Sequence, residues 1–497
     1  MQYLPDGVQM KRADEDTINN HNIAGSHLME LAGCAAVDVI LSKKCDLTSV
    51  LILCGNGGNA GDGFVIARLL SQKGHKVTVL FFNDKKRLGK DARLHFENLL
   101  NTQVNLVKEV PKEGYTIIID ALFGAGLNRT IEGKYEKIIN QVNQMTGCKV
   151  AIDLPSGISS QSGKVLGTAF YADFTIAIQN MKFGLLLGDG RSHAGEIIVK
   201  DIGIREEVFF KDLSVVTAWE QTDYHKQKPL RLMESHKGTY GKLLIIAGSK
   251  GMSGAAYLNA LSAYRVGAGL VRIYTCEENR AILQVQLPEC IISTYKSFDK
   301  ESLKKELAFA DTVLIGSGLG LSKTAEEIFQ FVLQTVSVPC VIDGDGLTLL
   351  AKMEQKGELL QRGTFICTPH MKEMTRLLNN RSIDEIKTYR REVLRHFCNE
   401  NGVTCVLKDA RTLVAGIEKH MVLNMKGNSG MAKAGSGDVL AGIITGLLGQ
   451  GLSLFSAAVL GVYVHGCAGD MARDKLGEYG ILAHDISDYI GTVMDKL

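Results

Sequence analysis

At 497 residues the chain is longer than one hydrophobic core usually organises, and 45% hydrophobic with 22% charged content is ordinary for globular proteins and unlike disordered ones. Lys+Arg 56 against Asp+Glu 54 leaves a formal charge of +2, too little for a broad nucleic-acid or membrane-binding surface, so small molecules are the expected partners. No apolar stretch reads as approaching the roughly 18 to 20 residues of a spanning helix, and residues 1–16 carry charges where a signal peptide has its apolar centre; a cytoplasmic chain is expected.

From the N-terminus, candidate strands at 50–54, 76–82, 116–119, 149–152 and 174–178 alternate with helical segments such as 64–72. A second series runs through 242–247, 270–275, 312–315, 340–342, 365–367 and 405–408, with its own glycine loops. Alternating strand and helix predict an α/β chain with parallel sheets. The polar stretch 205–237, with the single Trp219, separates the series, and the boundary is placed near 213–222, giving domains 1–215 and 222–497. The 11 cysteines are irregularly spaced with no CxxC pair, which reads as reduced and mostly buried thiols. The 53 glycines, many clustered in loops between apolar runs, suggest repeated close approach of backbone to ligand.

The loop from Gly55 to Gly63 follows a strand and opens a helix, where free backbone N–H groups face an anion such as a pyrophosphate. It meets G-x-G-x-x-G only loosely, and by itself also fits a tight turn. Asp120 and Asp153 end two further strand runs, each with a glycine loop behind it, and so deliver carboxylates to the same sheet edge. A single such aspartate is often a helix cap or turn residue. Hard cations take oxygen ligands, and Asn59, Asp120 and Ser156 supply them if these loops converge, which makes a monovalent cation site conceivable.

Together the glycine loop, Asp120 with Gly124 and Gly126, the run Asp153-Leu-Pro-Ser-Gly157, the helix 28–33 and the run 182–185 resemble the NAD(P)H-hydrate epimerase family over about residues 1–205. That resemblance implies a Rossmann-like three-layer domain that interconverts the R and S hydrates of NADH and NADPH. It implies potassium ligands Asn59, Asp120 and Ser156. Substrate contacts would come from Gly58, Asn59, Ala60, Gly61 and Asp62, from Gly124, Ala125, Gly126, Leu127, Asn128, Arg129 and Thr130, and from Asp153, the chosen proton-handling group. Asn56, Gly58 and Ala60 stand where the family usually has Pro, Asn and Gly.

In the second half, Gly248–Gly254, Gly316–Gly320 and Asp343–Gly346 are strand-to-helix turns of a kind common in α/β proteins. The sharpest feature is the run 424–442, where Gly435-Ser436-Gly437-Asp438 feeds a helix. Backbone N–H groups there can cradle phosphates while the carboxylate accepts a proton from an attacking hydroxyl, an arrangement suited to phosphoryl transfer. The plainer alternative is an acid complementing a helix dipole.

With Arg265–Val271, Thr368-Pro-His370, Glu373 and Val406-Leu-Lys408, this segment resembles the ribokinase-like superfamily and, more narrowly, the nucleotide-dependent NAD(P)H-hydrate dehydratases, over about residues 225–497. The resemblance implies a ribokinase-like α/β domain in which ADP or ATP phosphorylates the hydrate hydroxyl and phosphate is then eliminated. ADP is the expected co-substrate, with magnesium as counter-ion. Ala255, Gly318, His370 and Asp438 would contact the hydrate, with Asp438 as general base. The nucleotide would meet Lys408, Asp409, Ala410, Arg411 and Thr412, and the run Asn428, Ser429, Gly430, Met431, Ala432, Lys433, Ala434, Gly435, Ser436 and Gly437. Asp409 stands where the family usually has Gly, and Met371-Lys372 where it has Pro-Gly. Without the family pattern His370 reads equally as a structural hydrogen-bonding residue and Lys408 as a solvated strand-end charge. The expected whole is a homo-oligomeric enzyme repairing hydrated NADH and NADPH. The alternatives are a ribokinase-like small-molecule kinase with an accessory N-terminal domain, and an N-terminal domain that only binds.

Overall fold

A computed structural model describes residues 1–353, 356–360 and 364–497, which fall into two compact units, Gln2–Val216 and Thr217–Leu497. In the first, strands β1 (Val50–Cys54), β2 (Val77–Leu80), β3 (Asn105–Val107), β4 (Ile117–Ala121), β5 (Cys148–Ile152), β6 (Phe174–Ile178) and β7 (Glu196–Lys200) form a sheet in the order β3-β2-β1-β4-β5-β6-β7. All its pairings are parallel.

Burial on both faces explains why these strands read as unbroken apolar runs. Val50, Ile52 and Cys54 share a core with the helices Gly25–Ser42 and Gly58–Gln72, while Leu51 and Leu53 join Ile138, Ile139 and Val142 of the helix Lys134–Gln144. The helix expected at 64–72 begins earlier, at Gly58, so the glycine segment forms its opening turns. Glycine weakens a helix interior, but here contact demands it. A Cβ at Gly61 would lie 2.2 Å from the Met29 sulfur, and one at Gly63 would lie 2.8 Å from both Ala121 and Cys54.

In the second unit β8 (Lys242–Ile246), β9 (Leu270–Cys276), β10 (Ile291–Tyr295), β11 (Thr312–Ile315), β12 (Cys340–Ile342), β13 (Phe365–Cys367), β14 (Thr404–Leu407), β15 (Leu413–Ala415) and β16 (Val422–Leu423) lie side by side in the order β16-β15-β14-β13-β12-β11-β8-β9-β10. The run from β10 to β14 is parallel, as expected. The β14-β15-β16 meander is antiparallel, with strands too short to signal their pairing in sequence. Leu314, Val341, Ile366 and Val406 pack into one core with the helices Ser253–Val266, Ser436–Gly449, Leu454–Gly480 and Ala483–Lys496.

One expectation needs correction. The helix Leu454–Gly480 has 27 residues and is long and apolar enough to cross a membrane by length and composition. Most of its apolar window, 61%, is buried inside this unit, against the helices Ser436–Gly449 and Ala483–Lys496. Small residues such as Ala457, Ala458, Gly461 and Ala468 let those helices approach, which is why the run looked less apolar than it packs.

Candidate active sites

In the first unit a cavity of about 670 Å³ lies beside the loops that follow β1, β4 and β5. Its lining includes Gly58, Asn59 and Asp62 from the glycine helix, Gly124 to Arg129 from the loop after β4, and Asp153, Lys182 and Asp14. Asp153 holds a left-handed backbone conformation, φ 68°, which is costly for a side-chain-bearing residue and clusters at functional sites. Its carboxylate pairs with the Lys182 ammonium and accepts from the Ala125 N–H at 3.2 Å. Lys182 is 1% exposed and also donates to the Ile178 carbonyl at 2.6 Å. Burial pushes Asp14 up to about 6 against the opposing Lys182 charge, and pushes Asp62 well above the carboxylate range.

Beside this cavity Asp120 is fully buried. Its oxygens accept from the Ser156 N–H and hydroxyl, each at 2.7 Å, and from the Leu122 N–H at 3.2 Å. Burial raises its pKa to about 6, and hydrogen bonds from Ser156 and Leu122 only partly oppose that shift. Asn59 donates to the Phe123 carbonyl at 3.0 Å, while its own Oδ1 is buried with no partner among the described residues. A buried carboxylate whose pKa no cation lowers, with an unpaired amide oxygen and the Ser156 hydroxyl nearby, is a donor set of oxygens that fits a monovalent cation.

In the second unit, strand-end loops converge on another carboxylate network. Asp343, 2% exposed, accepts from Lys408 at 2.7 Å, Thr368 at 2.6 Å and Ser317 at 3.1 Å. Burial works against the Lys408 charge, yet Asp343, Glu373 and Asp438 hold its pKa above the ordinary value. Gly437 permits this approach, since a Cβ there would sit 3.3 Å from the Lys408 nitrogen. Asp438 lies in the first turn of the helix Ser436–Gly449, and its backbone carbonyl accepts from Asn259 at 2.7 Å. Burial and the Asp343 charge raise Asp438 to about 7, with Lys408 opposing. A carboxylate poised there is matched to proton abstraction at neutral pH. Behind it, His465 lies 3.2 Å from the Ser436 hydroxyl and burial drives its pKa down to about 4.

Residues 243–492 match the family described as NAD(P)H-hydrate dehydratase, and residues 25–184 match the YjeF-related protein N-terminus. The bifunctional NAD(P)H-hydrate repair enzyme of Coxiella burnetii is 35% identical over 95% of this chain and 96% of its own. That of Escherichia coli is also 35% identical, over 96% and 91%. A solved ribokinase-like superfamily protein of Enterococcus faecalis superposes with TM-score 0.51 at 29% identity, covering 56% of this chain and 95% of its own. The chain belongs to the bifunctional NAD(P)H-hydrate repair enzymes.

Within this repair-enzyme family member, the epimerase-like unit brings Gly58, Asn59, Asp62, Gly124 to Arg129 and Asp153 to one cavity, with Asp120 and Ser156 bonded to each other beside it. Ala60 and Gly61 are buried in the helix packing, and Thr130 is exposed beyond the lining. At Gly58 a Cβ would meet nothing within 4 Å.

In the dehydratase-like unit Ala255 and Gly318 adjoin, a Gly318 Cβ falling 3.0 Å from that of Ala255. His370 is the N-cap of the helix Met371–Leu377, its Nδ1 accepting from the Glu373 N–H at 3.2 Å, so the structural role applies to that nitrogen. Lys408 faces Asp343 rather than solvent. Asp409 pairs with Arg390 at 2.8 Å, and Arg411 donates to the Met425 carbonyl at 2.6 Å. Thr412 donates to the Asp409 carbonyl at 3.4 Å, and Ala410 is exposed.

In the loop before the helix Ser436–Gly449, Asn428 donates to Asp470, Ser429 to Glu478 and Lys433 to the Tyr479 carbonyl. Met431 packs on the core, and a Gly430 Cβ would meet the Glu478 carbonyl at 2.7 Å. Ala432 and Ala434 are exposed, and Gly435, at φ 89°, is the N-cap of the helix begun by Ser436 and Gly437. Side chains of this loop and its own backbone bonds, which engage the N–H groups of Gly430, Met431, Ala432, Lys433 and Ser436, thus hold its shape, and a phosphate would meet the N–H groups of the helix start at Gly437 and Asp438.

Asp14, Asn259, Asp343, Thr368 and His465 were not singled out from sequence as site residues. Asp343 carried a signal as an aspartate directly after a strand, and Thr368 as part of the Thr368-Pro-His370 run.

Proposed function

We infer that the first unit epimerises the R and S hydrates of NADH and NADPH, and that the second dehydrates the S hydrate at the expense of ADP or ATP. The observation that carries this is Asp438, ionisable near neutrality, at the mouth of a glycine-rich helix start and beside a buried Lys408–Asp343 pair. Asp438 takes the proton of the hydrate hydroxyl as that oxygen attacks the terminal phosphoryl group, and the helix N-terminus and Lys408 counter the charge that develops. Elimination of phosphate then restores the reduced nicotinamide. In the first unit Asp153, oriented by Lys182 and Ala125, handles a proton of the hydroxyl that exchanges at the epimerising carbon.

Potassium fits the oxygens of Asn59, Asp120 and Ser156, where it would offset the buried Asp120 charge and fix the loop after β4. Among the described residues there is no group of three or more His, Cys, Asp or Glu side chains able to cage a metal. Magnesium would come with the nucleotide, held by its phosphates together with one or two carboxylates.

The test is the purified chain with mixed hydrate epimers, with and without ADP, ATP and potassium. Regained absorbance of the reduced nicotinamide with release of inorganic phosphate is expected. A stable phosphorylated product instead would identify a ribokinase-like small-molecule kinase. Failure of residues 2–216 in the full chain to speed R-to-S exchange, seen as dehydration stalling at the S fraction beyond the spontaneous rate, would make the first unit a binding module.

A further inference from the structure

Water added across an enamine-type double bond places its hydroxyl on the carbon next to the ring nitrogen. Exchange between R and S therefore requires that C–O bond to break and re-form on the other face. The nitrogen lone pair forms an N=C bond as the C–O pair departs with oxygen, which takes up a proton and leaves as water. Water then adds to the opposite face and gives up a proton. Such a cycle needs one acid and one base together, and Asp153, ion-paired with Lys182, supplies only the base.

A second carboxyl reaches the same cavity from a separate element. The helix Gly7–Asn20 lays Met10, Asp14 and Ile18, one turn apart, along the cavity lining. Its start is pinned to the loop after β4, because the Ser160 hydroxyl accepts from the Gly7 N–H at 3.0 Å and donates to the Ala125 carbonyl at 2.8 Å. The same Ala125 donates its N–H to Asp153. One loop thus holds both carboxyls in register, and Asp14 stands close enough to Lys182 and Asp153 to feel both charges.

We propose that Asp14 is a second catalytic acid–base residue of the epimerase unit, giving its proton to the departing hydroxyl while ionised Asp153 receives the proton of the water that adds back. The reverse exchange starts from the swapped pair, so atoms and charge balance in both directions. This rests on the epimerase reading of the first unit and on Asp153 as its base. The charges that act on Asp14 are those of Lys182, Asp153, Glu15 on its own helix and Asp62 on the glycine helix, while Lys11, Asp91 on the helix Lys90–Leu99 and Arg129 on the loop after β4 line the same cavity. Burial favours the protonated acid, with a pKa of about 6.

The experiment compares full-length wild type and Asp14→Asn on separated R and S hydrates across pH 5 to 9. Expected are at least a ~100-fold loss of R-to-S exchange with unchanged dehydration of the S hydrate, and a wild-type kcat/KM that falls above about pH 6 through a limb missing in the variant. Exchange within about threefold of wild type, or a limb that persists, overturns the proposal. If Asn lowers the melting temperature, Asp14→Glu replaces it: a displaced limb supports the assignment and an unmoved limb overturns it. Wild type that catalyses no exchange sinks the epimerase reading itself, a result distinct from an Asp14→Asn variant that exchanges normally.

Discussion

The Lys408 ammonium lies 2.7 Å from the Asp343 carboxylate, and both charges bear on Asp438 in opposite senses. Asp438 must be ionised to act as base, and it gains its proton as pH falls through about 7. Dehydration kcat/KM should therefore drop ~10-fold per unit below that point, with an acid limb reporting the free enzyme. Lys408→Met removes the opposing charge and frees Asp343 to repel, so the limb should move to higher pH; an unmoved limb would refute the coupling. Asp438→Asn should cost ~100-fold or more in dehydration and leave nucleotide binding, read by calorimetry, largely intact.

Lys182→Met should leave Asp153 without its cation inside the cavity wall. Breaking a buried pair on one side costs ~3–5 kcal/mol, so thermal stability of the first unit should fall. Epimerisation should be lost while dehydration of the S hydrate continues. Equal loss of both activities would show that the sites are not separate.

Potassium should stabilise the first unit in a pH-dependent way through Asp120. Its folded pKa of about 6 lies above the ordinary 3.8, so the folded state holds more protons between those values and stability declines as pH rises through that window. A bound cation favours the ionised form, so the rise in melting temperature given by potassium over a large organic cation should grow as pH passes about 6. Asp120→Asn should abolish that growth. A potassium effect identical at pH 5 and pH 8 would exclude this carboxylate.

Asp409→Gly, the residue that the resemblance led one to expect there, should destabilise rather than improve the second unit. Arg390 is only 5% exposed and Asp409 is its partner at 2.8 Å. Loss of that carboxylate leaves a buried cation uncompensated, at a cost of ~3–5 kcal/mol. The double variant Arg390→Met with Asp409→Gly should recover most of the stability in denaturant unfolding. A single variant as stable as wild type would mean the pair contributes nothing.

The sequence by itself determined the two α/β series, the glycine loops at strand ends and the acids Asp120, Asp153 and Asp438, because each is a local pattern of apolar run, turn and helix start. Strand edges mostly agreed within a residue or two, since runs such as 174–178 and 312–315 are apolar on both faces. Tertiary structure alone decided what surrounds those acids. Asp14 lies 139 residues before Asp153, Asp343 lies 65 before Lys408, and His465 lies 29 beyond Ser436, so no local spacing announces them. It likewise decided that Leu454–Gly480 is an internal helix and that Asp409 serves Arg390, because burial and ion pairing depend on which distant surfaces the fold brings together.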